Sequence, residues 1–321
     1  MALEVTVESP EALAPEWAAL FPATDRPAPF QHPAWHAVWW EIFGGSTEQR
    51  YYAVREAGRL VAVAPMQRTS GGALAFSGDP EIMDYMDLVS EAGREADALD
   101  ALLATWKAEG AASVRFWGLR EESPLLAALR VRGVAFEEEA VAPRITLALD
   151  WEAYLASLSK KDRHELRRKM RRLESAGMTV GLRVLDSPEE VDAGIEPFFH
   201  LHKISRADKA EFMTATMERF FRRVAHDFAA AGTLRLFLID LDGKPAAALI
   251  AFEDGDLAVW NSGYDPEYSS LSIGLYSKAK AIEWAIEQGL PRVDFLRGRE
   301  PYKYDLGGVD LVVWRGEVAL A

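Results

Sequence analysis

The chain repeats itself once at the scale of a domain, and that repeat restricts its fold more than any other feature. ESPEAL, starting at Glu8, follows strand-like LEVTV; DSPEEV, starting at Asp186, follows strand-like TVGLRVL, an offset of 178 residues. VRFWGLRE, starting at Val114, aligns with VDFLRGRE, starting at Val293, at an offset of 179 and shares Val, Phe, Arg and Glu. The segments between these marks follow the same order. In the first half an apolar helix (Pro33 to Phe43) leads to a hairpin turned at Ala57 and Gly58, then LAF, a helix (Arg94 to Glu109) and VRFW. In the second a helix (Glu211 to Ala231) leads to a hairpin turned at Asp242 and Gly243, then LAVWN, a helix and VDFL. The expectation is a tandem duplication of one α/β (α+β) unit, with mixed sheets flanked by helices.

A chain of 321 residues, 49% hydrophobic, can bury two cores of ordinary domain size. The boundaries are expected at 1–150, 151–177 and 178–321, the middle piece being a basic connecting helix. A formal charge of -14 argues against nucleic-acid or anionic-membrane binding by the surface at large, so an anionic partner must be held locally. With no cysteine there is no disulfide, thiolate metal site or cysteine nucleophile. The start is acidic without an uninterrupted apolar core, and no run approaches the ~18 apolar residues of a membrane span. The expected location is cytoplasmic.

The chemistry-capable residues gather between Leu257 and Tyr304. LAVWNSGY reads as a strand and DPEYSS as a turn, after which Leu275, Ala279, Ile282 and Ile286 mark a helix that stops at Gly289 and Pro291. A helix N-terminus offers free N–H groups, so the turn carrying Ser270, Ser272 and Gly274 is a candidate phosphate cradle. VDFL then delivers RGREPYKY close to it.

Between the halves lies SKKDRHELRRKMRRL, from Ser159 to Leu173, basic but for Asp162 and Glu165. Ser159 with Asp162 reads as an N-cap pair, Leu166, Met170 and Leu173 as an apolar stripe, and Gly177 as the stop. One reading is a solvated connecting helix; the other is an anion-docking element.

The basic helix, the SSLSIG turn opening a helix, and DFLRGREPYK together resemble the GNAT superfamily of N-acyltransferases. The resemblance is to its double-GNAT branch of CelD-like acetyltransferases, related to the Fem aminoacyl transferases. It implies that each half is GNAT-like, the first degenerate and on the acceptor side, the second binding acyl-CoA, with acetyl-CoA as the usual donor. It implies that Ile273, Asn261 and Gly263 join Ser270, Ser272 and Gly274 in holding the donor. It places a tyrosine general acid just after the VDFL strand, where Tyr302 and Tyr304 are the candidates and Tyr302 is preferred, with Asp294 or Glu300 as the base. Arg297, Lys303, Arg163 and Lys161 are then substrate-binding candidates. The acceptor would be a small-molecule or peptide-like amine. Two other readings stay open: aminoacyl transfer from tRNA, and a non-catalytic scaffold that kept the fold.

FQHPAWHAVWW, from Phe30 to Trp40, reads as core or as the wall of an acceptor pocket. His32 and His36 share a helix face but have no third ligand nearby, so no metal is expected. Exposed aromatics in the first half are compatible with a homodimer.

Overall fold

The computed structural model describes residues 2–320 except 26, 45–47 and 70. It divides into two compact units, one comprising the chain up to Val141 together with the chain from Leu311 onward, the other Ala142–Asp310.

The first unit runs β1 (Leu3–Glu8), α1 (Pro10–Leu20), α2 (Pro33–Phe43), β2 (Glu48–Glu56), β3 (Arg59–Arg68), β4 (Leu74–Phe76), β5 (Val89–Ser90), α3 (Glu95–Ala108), β6 (Ser113–Arg120) and α4 (Pro124–Val131). β7 (Phe136–Thr146) crosses the boundary. The second unit holds α5 (Trp151–Ser157), α6 (Lys160–Glu174), β8 (Val180–Leu185), α7 (Pro188–Ser205), α8 (Ala207–Phe212), α9 (Ala215–Ala230), β9 (Leu234–Leu241), β10 (Lys244–Asp254), β11 (Asp256–Tyr264), α10 (Ile273–Glu287), β12 (Arg292–Asp294) and α11 (Pro301–Asp305). β13 (Val309–Ala319) returns to the first.

Strand order is β1-β2-β3-β4-β6-β13 in the first unit and β8-β9-β10-β11-β12-β7 in the second. In each, the described pairs are antiparallel except one, β4 with β6 and β11 with β12. The two parallel pairs sit at equivalent places, as a duplication requires. The repeated Ser-Pro-Glu has a local cause: Ser9 and Ser187 cap α1 and α7, accepting from Ala12 N–H and Glu190 N–H. Both hairpins turn on two positive-φ residues, Ala57–Gly58 and Asp242–Gly243, the conformation that suits a two-residue turn.

Three features depart from the sequence expectation. The last strand of each unit comes from elsewhere in the chain: Arg144 to Thr146 of β7 pair with β12, and Val313 to Ala319 of β13 pair with β6. A cut at 150 therefore falls beyond a strand that the second unit already uses. The basic helix α6 does not merely connect, because Leu166 and Leu173 are buried in the second unit's core. The helix expected from Glu211 is interrupted before Ala215, where Thr214 caps a new helix by accepting from Met217 N–H.

β11 and β12 register over only two residue pairs, Leu257 with Val293 and Ala258 with Asp294. Beyond that point β11 continues to Tyr264 with no strand along that edge among the described residues. Its end is packed against α7, where a Cβ on Gly263 would lie 2.3 Å from the backbone nitrogen of His202. Gly263→Ala must push a strand and a helix apart, and is expected to cost about 2 kcal/mol as overpacking does. Urea unfolding should show a lower midpoint at unchanged slope; an unchanged midpoint would mean that the two elements yield freely.

Candidate functional site

The second unit carries a cavity of about 410 Å³ at the N-terminal mouth of α10. Ser262 and Tyr264 line it from the end of β11, and Ser269, Ser272, Ile273, Gly274, Leu275 and Lys278 from the turn and helix that follow. Arg206 and Lys209 come from the start of α8, and Glu300, Pro301 and Tyr302 from the start of α11.

The mouth is open because of how the helix begins. A 3₁₀ turn (Pro266–Leu271) ends at Ser272, whose left-handed backbone (φ 60°, ψ 36°) starts α10 without a side-chain cap. Leu275 and Tyr276 N–H both donate to the Ser272 carbonyl. The N–H groups of Ile273 and Gly274 are left with no acceptor within the helix, as helix geometry dictates. Gly274 is small so that Tyr264 can pack on it: a Cβ there would lie 2.8 Å from the tyrosine ring.

Charge in the cavity is mostly positive. Lys278 is 6% exposed, its ammonium donates to Ser262 Oγ at 2.9 Å, and it lies 5.3 Å from the Tyr302 ring centroid. Burial, then the neighbouring Lys209, lower its pKa to about 7, against the pull of Glu300. Lys209 donates to the Ser262 carbonyl and is itself lowered by burial and by Arg206. Arg206 has its own counter-ion in Asp208 at 2.6 Å. On the opposite wall, Tyr302 is held protonated by burial and by the charge of Glu300. Burial raises the Glu300 carboxyl, but the hydrogen bond and charge of Lys303 outweigh it, so Glu300 lies below the usual range and is ionised.

The loop between β12 and α11 is locked from inside. Asp294 Oδ1 accepts from Leu296 N–H at 2.8 Å, where Leu296 takes a left-handed φ of 55°. Lys303, 2% exposed, donates to the carbonyls of Leu296, Arg297 and Gly298 at 3.1, 2.9 and 3.2 Å, and pairs with Glu300 at 2.9 Å. An ammonium has three protons, and the loop takes them all.

Of the residues expected from the sequence, Tyr302, Glu300, Ser272, Ile273 and Gly274 meet in the cavity. Lys303 and Asp294 do not line it; they shape the loop that presents Glu300 and Tyr302. Ser270 is exposed on the preceding turn, and Gly263 faces α7. Asn261 Oδ1 meets His202 Nε2 at 3.2 Å. Arg297 lends Lys303 its carbonyl, while Arg163 and Lys161 lie on α6 and outside the lining, Arg163 donating to the Ala156 carbonyl. Arg206, Lys209, Ser262 and Lys278 are lining residues that the sequence reading missed. For Lys278 a signal existed: it follows Gly274 by four residues and so shares the helix face of the mouth.

Residues 160–304 match the acetyltransferase (GNAT) domain. The matched range opens on α6 and closes on α11, so it takes in both the basic helix and the tyrosine loop. Among solved structures the chain is similar to FemX, at 14% identity and TM-score 0.64, covering 97% of this chain and 96% of that one. It is also similar to a tandem GNAT protein from the clavulanic acid biosynthesis pathway, at 13% identity and TM-score 0.54, covering 99% of each. A third is L-PGS from Bacillus licheniformis, at 14% identity and TM-score 0.57, covering 84% of this chain and 83% of that one. These likenesses are of fold. No curated protein matches the chain.

No helix among the described residues is long and apolar enough to cross a membrane. None of their His, Asp and Glu side chains form a group of three or more placed to hold a metal.

Proposed function

We propose that the chain is an N-acyltransferase that moves an acyl group from an acyl-CoA, acetyl-CoA in the simplest case, to the amine of a small-molecule or peptide-like acceptor. One observation supports this above the others. Inside the matched GNAT domain, a single cavity joins a helix mouth with two unengaged N–H groups and two lysines to a protonated tyrosine and an ionised glutamate. The helix mouth, Lys209 and Lys278 suit a phosphorylated carrier. Glu300 accepts the proton of the attacking amine, directly or through a water. The new C–N bond forms at the acyl carbon as its bond to sulfur breaks, and Tyr302 gives its proton to the leaving thiolate. The enzyme forms no covalent bond, so the lack of cysteine is no obstacle. The DFLRGREPYK loop is the basis for placing the chain in the CelD-like branch, and a cytoplasmic location goes with that reading.

Acetyl-CoA tests the proposal directly. A ligand that binds only the folded chain at about a hundred times its dissociation constant stabilises by about 2.7 kcal/mol, which should appear as a rise of several degrees in melting temperature. Acetyl-CoA should raise it and the phosphate-free thioester S-acetyl-N-acetylcysteamine should not.

A second reading, Fem-like aminoacyl transfer from tRNA, is favoured by the solvent-facing cations of α6, among them Lys160, Lys161, Arg168 and Arg171. It requires donor affinity that falls steeply with salt. If neither acetyl-CoA nor an aminoacyl-tRNA stabilises the chain, both enzyme readings fail and a scaffold that kept the fold is left.

A further inference from the structure

Two lysines in the cavity at the mouth of α10 converge on one serine. Lys278 of α10 donates to Ser262 Oγ at 2.9 Å, and Lys209 of α8 donates to the Ser262 carbonyl. Ser262 and Lys209 are half-buried lining residues, and Lys278 joins them in the lining while only 6% exposed. An ammonium has three protons, so each lysine keeps two that Ser262 does not take.

The carboxylates that act on these lysines are engaged elsewhere. Asp208 pairs with Arg206 at 2.6 Å and Glu300 with Lys303 at 2.9 Å. Neither lysine has a carboxylate within ion-pair distance among the described residues. Burial and the charge of Lys209 both work against the Lys278 ammonium, and an anion set between the two relieves each.

The position of the pair says which part of a substrate carries that anion. Tyr264 packs on Gly274 at the mouth, and Ser262 lies two residues back on the same face of β11, about 7 Å farther in. A phosphate at the mouth would be held by the Ile273 and Gly274 N–H groups, with the lysines acting on it only through their field. Lys278 lies 5.3 Å from the Tyr302 ring centroid, so the pair sits beside the proton donor of the proposed reaction. Glu300, on the wall that carries Tyr302, is the one carboxylate of the lining. A molecule whose amine meets Glu300, or whose acyl carbon lies by Tyr302, can set a carboxylate between Lys209 and Lys278. Two oxygens suit two ammoniums.

We infer that the inner end of the cavity, Lys278 and Lys209 about Ser262, is a subsite for a carboxylate that a substrate carries close to its reacting atoms. The carboxylate belongs to the amine acceptor, as in an amino acid, or to the acyl chain, as in a succinyl group. This subsite rests on the acyl-CoA reading, to which it adds the class of substrate.

Both sources are tested on the full chain at pH about 6.5, below the pKa of about 7 of Lys278. Calorimetric titration with acetyl-CoA, butyryl-CoA and succinyl-CoA tests the acyl chain, the last two having chains of equal length. Thiol release from acetyl-CoA, with a panel of L-amino acids set against their amides, tests the acceptor; the chain has no cysteine to react with the thiol reagent. In one arm the carboxylate form should be favoured about tenfold or more, the worth of a hydrogen bond to a charged group. That margin should appear as a lower Kd for succinyl-CoA than for butyryl-CoA, or as a lower KM for an amino acid than for its amide at similar kcat. Lys278→Met should remove most of the margin and Lys209→Gln part of it. If acetyl-CoA does not bind, the acyl-CoA reading falls and the subsite falls with it. If acetyl-CoA binds and neither arm favours the carboxylate, or if the margin survives Lys278→Met, the subsite alone is overturned.

Discussion

Tyr302→Phe is expected to lower kcat for acyl transfer by about two to three orders of magnitude, the usual worth of a positioned general acid, while KM for the donor stays unchanged. The substitution isolates the hydroxyl. The Tyr302 ring packs edge-on against Phe295 at 6.0 Å and adjoins the core built on β12 and α10, and phenylalanine keeps those surfaces. No protein partner of the hydroxyl is seen among the described residues, so nothing is orphaned by its removal. Burial and Glu300 keep the phenol protonated throughout the physiological range, the state that a proton donor needs. Donors with better leaving groups need less help, so the deficit should shrink for an aryl thioester. A Tyr302→Phe chain that transfers acyl groups at the parental rate would place the acid elsewhere, and Tyr264 on the same cavity would be the next residue to test.

Local signals in the sequence carried most of the fold. Ser9 and Ser187 cap helices, and Gly58 and Gly243 close hairpins, because both features are decided within four residues. The exchange of β7 and β13 was not legible. A strand's alternation states which face is apolar, but not which of several equivalent edges it joins, and that choice is made over long sequence separation. The site divides in the same way. Glu300, Tyr302 and Gly274 stand out as polar or small residues in loops beside a strand and a helix start. Lys303 sits in the same polar loop and reads as a substrate clamp, yet its ammonium is consumed by the carbonyls of residues 296–298. Lys278 errs the other way: within a helix it reads as surface, and only the fold of β11 and α8 around it encloses it.

Lys278→Met is expected to stabilise the chain by about 2–4 kcal/mol at pH 6, an unusual sign for a buried position. A lysine with a folded pKa of about 7 holds its proton more weakly than in the unfolded chain, where the value is about 10.4. Between those two pH values the unfolded state binds more protons, so wild-type stability rises with pH across that window. Below about 7 both states are protonated and the full penalty of the buried charge is present, on the order of 4 kcal/mol from the size of the shift. Methionine removes the charge at similar volume and gives back about 1 kcal/mol for the hydrogen bond lost at Ser262. The two chains should therefore converge in stability near pH 10, and urea unfolding at pH 6 and 10 would show it. A variant weaker than wild type at both pH values would mean that the ammonium is not strained. The strain has a use if the cavity takes an anionic carrier. Beside Lys209 and Arg206, and with Glu300 already bound by Lys303, Lys278 gains its missing counter-charge from the ligand, so donor affinity should fall as pH rises through about 7 and lose that dependence in the methionine variant.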